Sequence, residues 1–282
     1  MSYQQYRPSS FNMLPLVIKN LLIINGLIFL ATWVFQNQFQ LNLVDTLGLH
    51  YFSSDLFQPY QLVTYMFMHG SLEHIFFNMF ALWMFGNVLE NLWGPKRFLI
   101  FYMVTGIGAA LIYMGYEAFH FYQVQQSVDA FMANPVPEEY YALVKKHFGV
   151  YLEIPQNQLQ IDTFYASWND HLDNSAIYVQ QALNDIKQFT SFQADNPVVG
   201  ASGSVFGVLL AFGMLFPNTL LYIYFLIPIK AKYFVIIYGA LELYLGIANN
   251  PGDNVAHFAH LGGMLFGFIL IKIWTKKRNH FY

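Results

Sequence analysis

Six apolar stretches, each long enough or nearly long enough to cross a lipid bilayer as a helix, dominate this sequence. A helix that spans a bilayer needs roughly 20 predominantly apolar residues. Only 10% of the residues are charged, whereas soluble domains carry about 25%. The sequence therefore predicts an all-α polytopic membrane protein, a bundle of six transmembrane helices. The six stretches are Val17–Phe35, Ile75–Leu92, Phe98–Phe119, Val198–Phe216, Tyr233–Ala248 and Val255–Trp274.

The composition excludes several other classes of protein. The chain contains no cysteine, which removes disulfide scaffolds, thiolate zinc sites, iron–sulfur clusters and a cysteine nucleophile. The net charge is -3 and the longest basic run is Lys276-Lys277-Arg278, a pattern that argues against nucleic acid as a partner. The first stretch is followed by Gln36-Asn37-Gln38, which offers no small-residue cleavage site. We therefore interpret it as a membrane span rather than a signal peptide.

The distribution of basic residues predicts the orientation, because Lys and Arg accumulate on the cytoplasmic side of a membrane protein. With both termini in the cytoplasm, ten of the 13 Lys and Arg residues lie inside and three lie outside. Since no transit segment is evident, we expect a bacterial-type inner or plasma membrane. The inside residues are Arg7, Lys19, Lys96, Arg97, Lys230, Lys232, Lys272, Lys276, Lys277 and Arg278, and the outside ones are Lys145, Lys146 and Lys187.

The spans divide the chain into five predicted segments. Residues 121–196 are rich in Asp and Glu and are broken by Pro135, Pro137 and Pro155, so they form an extracytoplasmic insertion that rests on the membrane, contacts substrate or packs as a cap. The apolar run Leu220–Ile229 contains Pro228 and is too short to span, which favours an interfacial or re-entrant segment. The other segments are an N-terminal tail (1–16), three helices with outer loop 36–74 (17–120), three helices (197–275) and a basic tail (276–282).

Several polar residues lie within the predicted spans, where each costs about 2.5–3.5 kcal/mol on insertion scales. Ser202 is four residues past Val198, about 6 Å down a helix, and His260 is five residues past Val255, about 7.5 Å down. His74 and Asn78 share one helical face at the outer end of the second stretch. A hydroxyl, two imidazoles and an amide therefore occupy one outer layer. The remaining polar residues are Glu90, Glu242 and His257.

Small residues indicate that the helices carrying Ser202 and His260 approach each other closely. Glycines four residues apart let helix backbones touch, which brings the serine hydroxyl within reach of the imidazole. The histidine can then take the hydroxyl proton and make the serine a nucleophile, and can return the proton to a leaving amine. No third acid is needed if packing alone orients the ring. The patterns are Gly203-x-x-x-Gly207-x-x-x-Ala211 and Gly263-x-x-x-Gly267.

Three motifs resemble a known family. The run Gly200-Ala201-Ser202-Gly203 resembles the GxSG nucleophile motif of bacterial-type rhomboid intramembrane serine proteases. The run from His260 to Gly267 is similar to the HxxGxxxG of their last core helix, and the run from His69 to Asn78 is similar to their outer-loop pattern that ends in HxxxN. The resemblance covers the six-helix core and leaves residues 121–196 unmatched.

The resemblance implies a role for each matching residue. Ser202 would be the nucleophile and His260 its general base, and the oxyanion hole would comprise His74, Asn78 and the backbone amide of Ser202. His69 would structure the outer loop or hold water, and Glu90 would tie the second helix to its neighbours. Gly263 and Gly267 would be the packing glycines, and Gly200 and Gly203 would be structural residues near the site.

Two departures from the family pattern bear on these expectations. The frequent Trp-Arg pair of the first outer loop is here Tyr60-Gln61, which leaves the anchorage of that loop open. Phe206 stands where many members have tyrosine, so it can stack beneath the ring of His260 but cannot donate a hydrogen bond. His257, one turn from His260, is expected to be structural or solvated.

The leading hypothesis is an intramembrane serine endopeptidase that cleaves transmembrane protein substrates near the outer leaflet with a Ser–His dyad. The alternatives are a non-catalytic rhomboid-like protein that binds membrane clients and a six-span transporter that uses Glu90 and Glu242. A metal at the histidines is not expected, because no HExxH is present and no carboxylate is evident at their depth. No cofactor is expected, and the oligomeric state stays open.

Overall fold

A computed structural model describes residues 12–223, 226–248 and 255–278. The chain is an all-α polytopic membrane protein, as predicted: five helices in the described residues are long and apolar enough to cross a membrane, and a shorter apolar helix accompanies them. The first crossing is α1 (Leu16–Phe39). It leads into the outer loop, which contains α2 (Leu43–Leu47), α3 (Gln61–Thr64) and a single 3-10 turn at Tyr65–Phe67.

The second crossing combines α4 (Leu72–Ala81), a π-helical turn at Leu82–Gly86 and α5 (Asn87–Trp93). Ser71 caps its start, because its side chain accepts a hydrogen bond from the backbone N–H of His74 at 3.1 Å, which satisfies one of the free donors at a helix N-terminus. The predicted stretch began three residues later, at Ile75.

The third crossing, α6 (Pro95–Ala133), has 39 residues and a length of about 58 Å at 1.5 Å per residue. The hydrocarbon core of a bilayer is roughly 30 Å thick, so α6 extends well beyond it. The helix passes without interruption through residue 120, where the sequence predicted the boundary of the insertion. The insertion is therefore joined to the membrane bundle by a continuous helix.

The insertion is a small helical unit with its own apolar core. Its helices are α7 (Pro137–His147), α8 (Gly149–Leu152), α9 (Pro155–Asp170) and α10 (Ser175–Asp195). Two of the prolines predicted as breaks stand at the first position of α7 and of α9, where the missing N–H costs nothing. The end of α6 contributes Val124 and Phe131 to this core, beside Tyr140 and Trp168.

The fourth predicted stretch begins its helix later than expected. Val198 pairs with Leu49 as an isolated antiparallel β-bridge, and Gly200 has a φ of 134°, so the helix α11 (Ser202–Leu215) starts only at Ser202. At 14 residues α11 is short, but other helices enclose it and its residues from Gly203 to Leu209 are buried. A helix shielded from lipid in this way does not need to match the bilayer thickness.

The apolar segment at 220–229 forms two paired β-strands in the residues that the structure describes, and its interfacial or re-entrant placement stays a prediction. Strands β1 (Leu220–Ile223) and β2 (Ile227–Lys230) pair antiparallel, with Tyr222 opposite Pro228. The hairpin leads into α12 (Ala231–Ala248). The last crossing is α13 (His257–Arg278).

The predicted contact of small residues holds α11 and α13 together. A Cβ added to Gly263 would overlap the carbonyl oxygen of Gly203, and one added to Gly267 would lie 3.2 Å from the carbonyl oxygen of Gly207. On another face of α13, a Cβ on Gly262 would lie 3.0 Å from the Cα of Ala109 on α6. The backbones of three helices therefore touch around α13, the helix that carries His260.

Candidate active site

Ser202 and His260 meet where the N-terminal ends of α11 and α13 converge. The Ser202 Oγ lies 2.8 Å from the Nε2 of His260, within hydrogen-bond distance. Ser202 is the first residue of α11 and His260 lies in the first turn of α13. The histidine is 7% exposed, so the pair is largely shielded from solvent. A serine hydroxyl that donates to a histidine nitrogen is the arrangement that activates a nucleophile.

Phe206, one turn after Ser202 on the same helix, lies flat against the histidine. The two ring centroids are 4.1 Å apart and the ring planes differ by 8°. Tyr238 on α12 also packs against Phe206, with 5.0 Å between centroids. The stack fixes the plane of the imidazole without bonding to either nitrogen.

Glu242 on α12 is a member of the site that the sequence argument missed. Its Oε2 lies 2.8 Å from the Nδ1 of His260 and 2.6 Å from the Nδ1 of His257. The carboxylate is 4% exposed. A signal for this residue was present: Glu242 is six residues from the end of the fifth stretch, about 9 Å deep, close to the depth estimated for His260.

The same three side chains correct one premise of the metal argument. The expectation that no carboxylate lies at the depth of the histidines was wrong, because Glu242 lies there. The ligand atoms of Glu242, His257 and His260 all lie within 4.8 Å of one another, and two histidines with one glutamate form a donor set that zinc accepts. In this structure direct hydrogen bonds of 2.6 and 2.8 Å join them.

Gly200 brings His74 close to Ser202. A Cβ on Gly200 would lie 2.8 Å from the Nε2 of His74 and 3.4 Å from the Oγ of Ser202, so both side chains border the space that glycine leaves open. The Nδ1 of His74 faces the backbone N–H of Gly70 at 3.5 Å, the long limit of a hydrogen bond. In a neutral ring with Nδ1 as the acceptor, Nε2 carries the proton and points toward the serine.

Asn78 is buried beneath His74 but bonds to its own helix. Its Nδ2 donates to the carbonyl oxygen of His74 at 3.1 Å, and among the described residues no hydrogen bond joins it to Ser202. The amide carries a second N–H. The backbone N–H of Ser202 is one of the N-terminal donors of α11, which have no acceptor within the helix.

His69 lies under the outer loop beside the site. Its ring meets that of His74 edge to face, with 5.0 Å between centroids, and it is 2% exposed. Burial, and secondly the neighbouring imidazole of His74, lower the pKa of His69 to about 4. The ring is therefore neutral near pH 7, where it packs as a polar but uncharged support of the loop.

Glu90 lies apart from this cluster. Its two carboxylate oxygens accept the backbone N–H groups of Val17 and Ile18 at 2.9 and 2.8 Å, so it caps the start of α1 from the end of the second crossing. Carboxylates at a helix N-terminus are favourable because they face free N–H donors and the positive end of the helix dipole. Both acids that motivated the transporter alternative, Glu90 and Glu242, thus have specific hydrogen-bond partners.

The loop whose anchorage the sequence left open is held by Gln61. Its Oε1 accepts the backbone N–H groups of His50 and Gln58 at 3.3 and 3.1 Å. Its Nε2 donates to the carbonyl oxygens of Thr46 and Leu56 at 3.2 and 3.0 Å. One fully buried amide therefore joins four points of the outer loop.

The fold and the site define a polytopic membrane protein that encloses a serine–histidine pair. The Rhomboid domain family matches residues 56–122 and 170–277, so the chain belongs to the rhomboid family, as its motifs predicted. The unmatched residues between these ranges lie in the insertion and the end of α6.

The chain is similar in sequence to three rhomboid proteins of other organisms. RHOMBOID-like protein 12, mitochondrial, of Arabidopsis thaliana is 24% identical over 93% of this chain and 59% of its own length. A mitochondrial rhomboid protein of Schizosaccharomyces pombe is 25% identical over 77% of this chain and 52% of its own length. Rhomboid protease GluP of Bacillus subtilis is 35% identical over 52 residues, 18% of this chain and 10% of its own length. The chain thus spans little more than half of the first two relatives.

Proposed function

We propose that this protein is an intramembrane serine endopeptidase that hydrolyses peptide bonds of transmembrane protein substrates. The observation that carries the proposal is the 2.8 Å contact between the Ser202 Oγ and the Nε2 of His260 inside a membrane bundle. Ser202 attacks the scissile carbonyl while His260 takes its proton. His260 then protonates the leaving amine, and water hydrolyses the acyl-enzyme with His260 again as the base.

The oxyanion of the tetrahedral intermediate needs donors on the side of Ser202 away from His260. The backbone N–H of Ser202 provides one, since it stands at the N-terminus of α11 where the helix dipole favours negative charge. The Nε2–H of His74, beside Gly200, provides a second, and the free N–H of the Asn78 amide provides a third. Donors fixed in place before the reaction stabilise the charge without reorganisation.

The asymmetry of Lys and Arg supports cytoplasmic termini, with the site opening toward the outer side of a cell inner membrane. The names of two relatives include the word mitochondrial, so a mitochondrial membrane is the competing location. Because the chain has no cysteine, single-cysteine variants can test the orientation. We expect a membrane-impermeant maleimide added to intact cells to label Gln58→Cys in the outer loop and to leave Lys230→Cys at the hairpin unlabelled.

The proposal is tested by labelling the purified protein in lipid nanodiscs with a fluorophosphonate probe, which reacts with activated serines. We expect labelling of the unsubstituted protein and its loss in Ser202→Ala and His260→Ala. Ser204→Ala is the matched control: Ser204 is on the same helix, but its hydroxyl donates to the carbonyl oxygen of Tyr102 at 2.7 Å. That variant should still be labelled.

A reconstituted single-pass substrate with small or helix-breaking residues in its outer half provides the second readout, since cleavage needs an extended peptide. We expect cleavage that Ser202→Ala abolishes. Labelling that persists in Ser202→Ala would contradict the assignment of the nucleophile. A folded protein that is neither labelled nor active would instead be a rhomboid-like protein that binds membrane clients.

A further inference from the structure

We infer that Glu242 is a positioning residue of this site: its carboxylate selects the nitrogen of His260 that faces Ser202. The inference rests on the proposed function and extends it from a pair of residues to a line of three, on helices α11, α13 and α12. The Oγ of Ser202 lies 2.8 Å from the Nε2 of His260. On the other side of the ring, the Nδ1 of His260 lies 2.8 Å from the Oε2 of Glu242.

The contact with Glu242 decides which nitrogen of His260 carries a proton. A carboxylate only accepts hydrogen bonds, so the contact with Glu242 requires a proton on the Nδ1 of His260. In a neutral ring the Nε2 then has a lone pair, and that lone pair faces the hydroxyl of Ser202. This is the tautomer that a general base needs, since the opposite tautomer would present an N–H to the serine.

The stacking of Phe206 cannot make this selection. A ring stacked on one parallel face at 4.1 Å keeps its plane when it turns over, and the turn exchanges the nitrogens. Only a group at the edge of the ring distinguishes Nδ1 from Nε2. Glu242 is at that edge, and it is buried, so an Nδ1–H without it would lose its acceptor where water is scarce.

His257 holds the carboxylate in place. Its Nδ1 lies 2.6 Å from the same Oε2 that accepts from His260, so two donors on α13 converge on one oxygen of α12. Two donors define the position of that oxygen more narrowly than one does. The carboxylate also lies where its charge offsets the imidazolium that forms when His260 takes the serine proton.

The experiment measures the kinetics of fluorophosphonate labelling in nanodiscs, separating the rate constant of inactivation (kinact) from the concentration at half-maximal rate (KI). The variants are Glu242→Ala, which removes the acceptor, and Glu242→Gln, which keeps an acceptor oxygen and removes the charge. The matched control is Glu117→Gln, since Glu117 on α6 is 7% exposed against 4% for Glu242. Folding is followed in all samples by thermal unfolding.

Removing the acid behind the histidine of a serine protease costs roughly 10⁴-fold in rate. We expect a loss of about 1,000-fold in kinact for Glu242→Ala, and at least as large a loss for Glu242→Gln, because the amide N–H can donate to Nδ1 and favour the opposite tautomer. KI should stay within about twofold, since the probe-binding surface is unchanged. Glu117→Gln should label at the rate of the unsubstituted protein.

An unchanged kinact in folded Glu242→Ala and Glu242→Gln would overturn the inference and leave the proposed function intact. A fall in the labelled fraction or a rise in KI without a change in kinact would overturn it too, because that pattern describes damage to the fold. Inactivation of the unsubstituted protein by EDTA would mean that the carboxylate serves a metal, which also contradicts it. If the unsubstituted protein is not labelled, the proposed function fails and this inference fails with it.

Discussion

Replacing Gly263 by alanine tests whether the close packing of α11 and α13 sets the distance between Ser202 and His260. The added Cβ would overlap the carbonyl oxygen of Gly203 and lie 2.7 Å from its carbonyl carbon. Non-bonded carbons stay about 3.5 Å or more apart, so relief of the carbon contact alone moves α13 away by about 0.8 Å, and relief of the overlap with the oxygen requires more. His260 is one turn from Gly263 and moves with it. The contact of 2.8 Å between the serine oxygen and Nε2 then opens to at least about 3.6 Å, which is no longer a hydrogen bond.

Both the stability and the reactivity of the protein should respond. Overpacking of this kind costs about 1–3 kcal/mol, measured as the free energy of unfolding in mixed micelles. A misplacement of about 1 Å in a catalytic group can cost roughly 100-fold in rate, so we expect kinact for the fluorophosphonate to fall by about that factor. Gly267→Ala is the matched control, because its nearest contacts are 3.2 Å away. It should lower kinact by less than about tenfold.

Equal kinact values for Gly263→Ala and the unsubstituted protein, in a sample whose stability has fallen, would refute the link between packing and the serine–histidine distance. A greater loss of stability in Gly267→Ala than in Gly263→Ala would refute the geometry from which both expectations are drawn.

Three further predictions concern groups outside the reacting pair. Glu90→Gln should lower the free energy of unfolding by about 2 kcal/mol, because the amide can replace only one of the two oxygens that cap α1. Gln61→Leu should lower it by about 3 kcal/mol and make the outer loop susceptible to limited proteolysis, because four backbone groups lose their partner. Burial, then the charges of His120 and Lys146, lower the pKa of His147 to about 4. Since the unfolded chain binds this proton near pH 6.5, the insertion should lose stability as the pH falls from about 6.5 toward 4, and His147→Gln should flatten that dependence.

Each of these variants has a control in the same part of the chain. Glu73→Gln changes an exposed glutamate in the first turn of α4, and Gln58→Leu changes an exposed side chain of the outer loop. His171→Gln changes an exposed histidine of the insertion. Thermal unfolding and limited proteolysis should leave these controls close to the unsubstituted protein. If a control variant loses as much stability as the test variant with which it is paired, that result would contradict the contact proposed for the test variant.

The close approach of α11 and α13 could be predicted from the spacing of the glycines in the sequence alone. Glycines four residues apart on two spans have one physical use in a membrane, namely to let backbones touch, and the contact of Gly203 with Gly263 follows from that. The rotation of α12 could not be predicted in the same way. Its sequence is apolar on nearly all sides, so periodicity does not reveal which face meets α13. For this reason the sequence identified Glu242 as an intramembrane acid but did not predict its contacts with His257 and His260.

Helix ends were the other weak point of the sequence argument, and each has a local cause. Hydropathy placed the start of the fourth span at Val198, but it cannot detect the β-bridge to Leu49 or the positive φ of Gly200. Hydropathy also ended the third span near Phe119, although α6 continues to Ala133. Past the bilayer the helix is stabilised by the insertion core that Phe131 enters, a tertiary contact that leaves no apolar run in the sequence.

The position of Ser202, the proposed nucleophile, depends on the outer loop as much as on its own helix. Ser202 is the first residue of α11, where no preceding turn of helix restrains it. The restraint comes from the chain before it: Val198 exchanges two backbone hydrogen bonds of 2.9 Å with Leu49, and the N–H of Gly200 donates to the carbonyl oxygen of Tyr65 at 2.9 Å. Both acceptors belong to the outer loop that Gln61 holds together. Loosening that loop should therefore displace the serine even though Gln61 contacts neither member of the reacting pair, and Gln61→Leu should label more slowly than Gln58→Leu.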